Sequence, residues 1–89
     1  MNNPDFLMQK NNEKLSKRIY PITPANRLST RELKVIEFAA QGLDNNEIAE
    51  ILYISSHTVK AHIASAMRKL SANNRTNAVY KAVKLHIIE

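Results

Sequence analysis

The sequence contains no cysteine and no tryptophan, and only one glycine and three prolines occur among its 89 residues. Without cysteine, neither a disulfide framework nor a thiolate metal site can stabilise the fold of so short a chain. One glycine is too few for the many turns of an all-β barrel or sandwich. The fold is therefore expected to be one small domain held together by packing alone.

Long apolar runs are also missing. The longest is Ile51-Leu52-Tyr53-Ile54, whereas a membrane helix needs about 20 consecutive apolar residues. The polar start Met1-Asn2-Asn3-Pro4 is unlike a secretory signal. Hydrophobic residues at 44% still suffice for a core. We expect a folded cytoplasmic protein with no membrane partner.

Acidic residues are absent from the whole stretch 51–88. The segment 28–50, by contrast, holds five acids against two bases. A chain of net charge +5 that is acidic in one half and basic in the other offers a docking side for phosphate, although an ordinary solvated basic surface has the same composition. The bases of the acid-free stretch are Lys60, Arg68, Lys69, Arg75, Lys81 and Lys84.

Two prolines, Pro21 and Pro24, disfavour helix before them and predict a domain boundary near Asn26. The prediction is a basic tail over residues 1–26 and a folded domain over 27–89. Within the tail, a short extra helix opening at about residue 4 and a mobile basic arm are both compatible with the composition.

Helix signals recur through the domain. Glu32 and Glu47 each lie three residues after a capping residue, which completes two capping boxes. Glu32 is also expected to take part in an internal salt bridge. The lone Gly42 is placed to end the first helix, and the third should run from about Ser56 to Leu70. With no strand-like alternation, the sequence predicts an all-α fold of four helices, with these N-caps: Ser29, Asp44, Ser55 and Asn74.

The second and third helices are separated only by the tight turn 53–55. Ile54 in that turn is expected to wedge between the two helices and fix their angle. A short helix, a tight turn and a longer helix are the outline of a helix-turn-helix, whose second helix can enter a DNA major groove ~12 Å wide.

Three stretches carry a family resemblance: LSTRELKVIEFAAQGLDNNEIAEIL, ISSHTVKAHI and MRKLSANNRTNAV. In this order and spacing, the segment 28–88 resembles the LuxR/FixJ (GerE-like) DNA-binding domain. The resemblance implies a bacterial transcription regulator that binds double-stranded DNA as a homodimer. It places the third helix in the major groove and the dimer contact on the fourth.

The predicted DNA contacts lie mainly on the third helix, off its apolar stripe. In the family pattern, the residues corresponding to Thr58, Lys60 and Ala61 lie at the DNA surface. Arg75 matches a basic family position and is expected to clamp the DNA backbone. Two alanines on this side of the third helix leave few contacts to the bases, so DNA shape and phosphate contacts should contribute much of the specificity. The third-helix candidates are His57, Thr58, Lys60, Ala61, Ala64, Ser65 and Arg68.

The fourth helix has more apolar residues than packing requires. A homodimer through Val79, Tyr80 and Val83 would bury them and set two third helices ~34 Å apart. Alternatively, some of the surplus, which includes Ile87 and Ile88, completes the core of the monomer.

Catalysis and metal binding find no support in the sequence. His57 and His62 are five residues apart, about 140° around a helix, so they cannot share a metal as an i, i+4 pair does. The run Ser55-Ser56-His57 suits capping better than nucleophilic catalysis. We expect no enzyme activity, cofactor, metal or small-molecule ligand. The alternative function is a helix-turn-helix interaction module that dimerises with, or antagonises, a longer regulator.

Overall fold

A computed structural model describes residues 26–88 of the chain. Within that range the protein forms four helices and no strand: α1 (Thr30–Ala40), α2 (Asn45–Leu52), α3 (Ser56–Leu70) and α4 (Arg75–Lys84). The all-α, four-helix prediction is therefore confirmed. The predictions of an extra helix or a basic arm in the tail concern residues that lie outside the described range.

Each helix begins at one of the polar residues predicted as N-caps. The Ser29 hydroxyl accepts a hydrogen bond from the Glu32 amide at 3.1 Å, and the Glu32 carboxylate accepts one from the Ser29 amide at 2.8 Å. Asp44 and Glu47 make the same reciprocal pair, with both distances at 2.8 Å. These bonds satisfy amides that the first helical turn leaves without intrahelical partners. Single side-chain-to-amide caps start the remaining two helices, at Ser55 and Asn74.

Left-handed residues end the helices. Gly42 has φ +92° just after α1, as predicted. No glycine follows α3, and Ser71 adopts the left-handed conformation itself, with φ +54°. The Ala72 amide then donates to the Met67 carbonyl at 2.9 Å, which closes the last turn. The third helix consequently ends at Leu70, where the sequence predicts it.

The core forms around α3, which packs on each of the other three helices. Its buried face consists of Val59, Ile63, Ala66 and Leu70. Ile54, in the turn before α3, is half-buried against this core, and its predicted role in fixing the angle between α2 and α3 stays a prediction. Because α3 supplies the centre of the core, its three neighbours cover one of its faces, and the opposite face is directed away from them.

The end of the chain folds back on the core. Helix α4 stops at Lys84, and Leu85 is its C-cap. The Ile87 amide donates to the Ala82 carbonyl at 2.8 Å, and this turn brings Ile88 into the core with 6% exposure. Part of the apolar surplus near the C-terminus therefore completes the monomer core.

A buried carboxylate joins the start of α1 to α3. Glu32 is 6% exposed, and its carboxylate accepts hydrogen bonds from the Ser65 hydroxyl at 2.6 Å and from the Lys69 ammonium at 2.8 Å, besides the Ser29 amide. The predicted capping and salt-bridge roles of Glu32 are both confirmed. Burial by itself raises the pKa of Glu32, but the hydrogen bonds from Lys69, Ser65 and Ser29 and the Lys69 charge outweigh it and lower the pKa to about 2.

This lowered pKa predicts a specific loss of stability in acid. The unfolded chain, with a glutamate pKa near 4.5, binds the proton before the folded chain does. The contribution of Glu32 is therefore complete above about pH 4.5 and is lost as the pH falls towards 2. We expect Glu32→Gln to lower the free energy of unfolding by about 3 kcal/mol at neutral pH and to flatten its pH dependence in acid, measured by urea unfolding at a series of pH values.

Glu37→Gln is the matched control, because Glu37 forms an exposed pair with Lys34 at 3.4 Å. Exposed pairs of this kind contribute about 0–1 kcal/mol. Equal effects of the two substitutions would contradict the role assigned to Glu32.

Candidate nucleic-acid interface

One face of α3 is exposed along its whole length. We call it the reading face and define it by His57, Lys60, Ala61, Ala64 and Arg68, all of which are exposed. They recur at three- and four-residue intervals, so they form a continuous stripe opposite the buried face of the helix. The structure thus brings five of the seven α3 residues predicted as DNA contacts onto one accessible surface.

The basic residues of the acid-free half separate into two groups. Among residues 26–88, Lys60 and Arg68 make no hydrogen bond or ion pair with the protein. Lys69 is bound to Glu32, and Lys81 donates to the Ser71 carbonyl at 2.7 Å. Lys60 and Arg68 on the reading face, and Lys84 on α4, are thus available to an external anion, whereas Lys69 and Lys81 are bound within the protein.

Two of the predicted contacts lie at the edge of the reading face and make internal bonds. The Thr58 hydroxyl oxygen accepts a hydrogen bond from the Ser55 hydroxyl at 2.9 Å, next to the N-cap. The Ser65 hydroxyl donates to the buried Glu32 carboxylate. Both side chains are half-buried. The partner of Thr58 is the predicted N-cap Ser55, three residues earlier. Glu32, the distant partner of Ser65, was not indicated by the sequence pattern.

A shallow cleft adjoins the reading face. It lies between the amino ends of α2 and α3 and is lined by Asn45, Asn46, Ser56, His57 and Lys60, among others. Its walls are mostly polar side chains, and they include the Asp44 carboxylate that caps the amino end of α2. The cleft and the reading face form one continuous surface.

Arg75 borders the same cleft but is turned towards the protein. Its guanidinium donates to the Leu43 carbonyl at 2.7 Å and to the Asn45 side-chain oxygen. Nothing in the sequence pattern indicated these partners, because they lie 32 and 30 residues away. The predicted contact of Arg75 with a DNA backbone stays a prediction.

The fourth helix presents a small apolar surface. Two of its large hydrophobic residues are exposed to solvent, Tyr80 by 58% and Val83 by 45%. Val79, the third residue of the predicted dimer contact, is half-buried against the core. Tyr80 and Val83, three residues apart, share one face of α4.

The described residues offer no metal cluster. No group of three histidine, cysteine, aspartate or glutamate side chains there could hold an ion. His57 lies on the reading face, whereas His62 is half-buried on another side of the helix, in line with the predicted separation of the two. Residues 26–88 also include no helix long and apolar enough to cross a bilayer.

Comparison with known proteins gives a consistent result. The family described as bacterial regulatory proteins, luxR family (GerE), matches residues 26–82. The transcriptional activator protein BjaR1 of Bradyrhizobium diazoefficiens is 49% identical over 65 residues, which are 73% of this chain and 27% of that protein. The nitrate/nitrite response regulator protein NarP of Escherichia coli is 47% identical over 55 residues, 62% of this chain and 26% of NarP.

A solved structure resembles the fold as well. The crystal structure of the response regulator ChrA, from a heme-sensing two-component system, aligns with a TM-score of 0.69 at 35% identity. The alignment covers 83% of this chain and 36% of ChrA. The chain spans about a quarter of the length of the curated relatives named above.

These matches and the geometry define the class: a LuxR-type helix-turn-helix domain of DNA-binding transcription regulators. The chain belongs to the luxR family of bacterial regulatory proteins, because the family match covers more than half of it. The resemblance seen in the three sequence stretches is confirmed.

The internal bond of Ser65 leads to a prediction. Ser65→Ala removes one donor from a buried carboxylate, so we expect it to lower the free energy of unfolding by about 1–3 kcal/mol, measured by urea unfolding at neutral pH. Ala64, its neighbour, is exposed on the reading face, and Ala64→Ser serves as the matched control with an expected change within about 0.5 kcal/mol. A Ser65→Ala protein as stable as the wild type would contradict this assignment.

Proposed function

We propose that this chain binds double-stranded DNA as a homodimer, with the reading face of α3 in the major groove, and thereby regulates transcription. The observation that carries the proposal is the reading face itself: an exposed stripe whose lysine and arginine have no partner among the described residues. Membership of the luxR family supports DNA as the polyanion. A protein with this function works in the cytoplasm, where a bacterium keeps its DNA.

The residues of the reading face fit distinct parts of a duplex. Lys60, in the second turn of α3, can donate to guanine O6 and N7 or to a phosphate. Ala61 and Ala64 can touch thymine methyl groups and allow a close approach of the backbone. His57 and Arg68, at opposite ends of the stripe, can contact phosphates. With few hydrogen-bonding side chains on this face, we expect phosphate contacts and DNA shape to supply much of the affinity and specificity.

Residues at the edge of the reading face have a supporting part in this proposal. Thr58 and Ser65 remain candidates for DNA contact, but their hydroxyl groups already bond within the protein. We assign them chiefly to holding the start and the middle of α3. The domain that carries these groups is proposed to span residues 27–89, which include all four helices.

The homodimer is proposed to form through α4. Tyr80 and Val83 give that helix an exposed apolar face, and Val79 adjoins it. Two-fold pairing through one such face would present two reading faces to successive major grooves, ~34 Å apart along the duplex. The alternative function uses the same face of α4 to pair with a longer regulator instead of with a second copy.

Lys60→Ala tests the DNA contact. Loss of one phosphate or base contact should weaken binding to a labelled duplex by about 1–3 kcal/mol. If Lys60 meets a phosphate, the slope of log affinity against log salt should also fall by about 0.9. Fluorescence anisotropy with a random-sequence duplex pool at several salt concentrations measures both quantities. A protein that binds no duplex at low salt would refute the proposed function.

Lys34→Ala is the matched control for this experiment. Lys34 is an exposed lysine on α1, in the acidic half of the domain, where it pairs with Glu37. Its removal should leave the salt slope nearly unchanged. Equal losses for the two lysines would indicate attraction by overall charge and would contradict a specific reading face.

Val83→Asp tests the dimer. A charge in the centre of an apolar contact should shift the protein to the monomer in sedimentation and weaken DNA binding, because a dimer holds two half-sites at once. Ile51→Asp is the control, since Ile51 on α2 is similarly exposed, at 47%, but lies on another surface. If Val83→Asp leaves the oligomeric state and the affinity unchanged, α4 is not the homodimer contact. Tight association of the wild type with a longer regulator would then favour the interaction module.

A further inference from the structure

Arg75 connects the amino ends of two helices, α4 and α2, that do not pack on each other. It is the first residue of α4, and its side chain donates to the Leu43 carbonyl and to the Asn45 side chain, at the amino end of α2. Among the described residues, α4 packs on α1 and α3 but not on α2. The guanidinium therefore provides a direct link between the amino ends of α4 and α2.

The shape of the guanidinium explains why arginine suits this link. Its N–H groups diverge in one rigid plane, so two of its nitrogens reach two acceptors at once. A lysine ammonium carries the same charge on a flexible stem and has no such fork. The side chain is also partly buried, so its two bonds form where water competes weakly.

The link ends beside the candidate DNA surface. Asn45 and Asn46 begin α2 and line the cleft that His57 and Lys60 also line. If the amino end of α2 shifted, the wall of this cleft would move relative to the reading face.

We propose that Arg75 is a positioning residue for DNA binding, which acts by fixing the amino end of α2 through Leu43 and Asn45 and does not itself bind a phosphate. This inference rests on the proposed function and deepens it. From its sequence position, Arg75 is expected to clamp the DNA backbone. In the role proposed here, Arg75 instead links α4, the helix of the proposed dimer contact, to the amino end of α2, which lines the cleft beside the reading face.

A double-mutant cycle on the full chain distinguishes the two roles. The variants are Arg75→Lys, which keeps the charge but loses the fork, Asn45→Ala, which removes one acceptor, and the double substitution. Affinity and salt slope are measured by anisotropy with a labelled random-sequence duplex pool, well below the thermal midpoint of each variant as determined by circular dichroism. Arg31→Lys on α1, an exposed site, is the control for the chemical change alone.

A positioning role predicts that each single substitution weakens binding about tenfold, the factor that corresponds to one hydrogen bond to a charged group. The double variant should be no weaker than either single one, because both break the same link. The salt slope should stay at its wild-type value in Arg75→Lys, since no phosphate contact is lost. Arg31→Lys should bind like the wild type.

Other results would overturn the inference. If Arg75 were a phosphate ligand, Arg75→Lys would bind almost normally and Asn45→Ala would have no effect. Losses that add in the double variant would show that the two residues act separately. If Arg75→Lys fails to fold, Asn45→Ala alone decides, because it leaves Arg75 in place and a normal affinity then refutes the link. Wild-type binding with normal variants refutes the inference alone, whereas a wild type that binds no duplex refutes the proposed function.

Discussion

The buried carboxylate of Glu32 is the constraint on which the orientation of α3 depends. A carboxylate that is almost fully buried needs several hydrogen-bond donors to offset the free-energy cost of its desolvation. Those donors come from two places, the N-cap of α1 at Ser29 and the second half of α3 at Ser65 and Lys69. Satisfying one carboxylate therefore fixes the start of the first helix against the third. Apolar packing alone is non-directional, so it would define the register between these helices less sharply.

Helix α3 divides its residues between two tasks. One side supplies apolar groups to the centre of the core, and Ser65 and Lys69 beside it bind Glu32. The other side remains exposed and carries Lys60 and Arg68. This division explains why a chain with an acid-free half does not present all its cations to a partner. Some of them bind within the protein, whereas Lys60 and Arg68 lie on the reading face and Lys84 is exposed on α4.

The same division extends to α4. Its amino end links internally through Arg75, its buried side and the turn after it complete the core, and its exposed side carries Tyr80 and Val83. A helix with these three sides can, in the proposed dimer, contact a second copy and the cleft beside the reading face at once. The proposals on DNA binding and on Arg75 therefore concern connected helices. Helix α4 carries the proposed dimer contact, and Arg75 links it to the amino end of α2, beside the reading face of α3.

Local interactions explain what the sequence determined by itself. The four N-caps, the bounds of α3, the turn at Gly42 and the exposed stripe of α3 follow from contacts within three or four residues, so they could be predicted without a structure. The family resemblance followed from the spacing of these same signals. Long-range partners were decided by the tertiary structure alone: Ser65 and Lys69 on Glu32, Arg75 on Leu43 and Asn45, and Ile88 in the core. The spacing of residues along a chain predicts which face of a helix they share, but which distant atoms meet depends on how the helices pack.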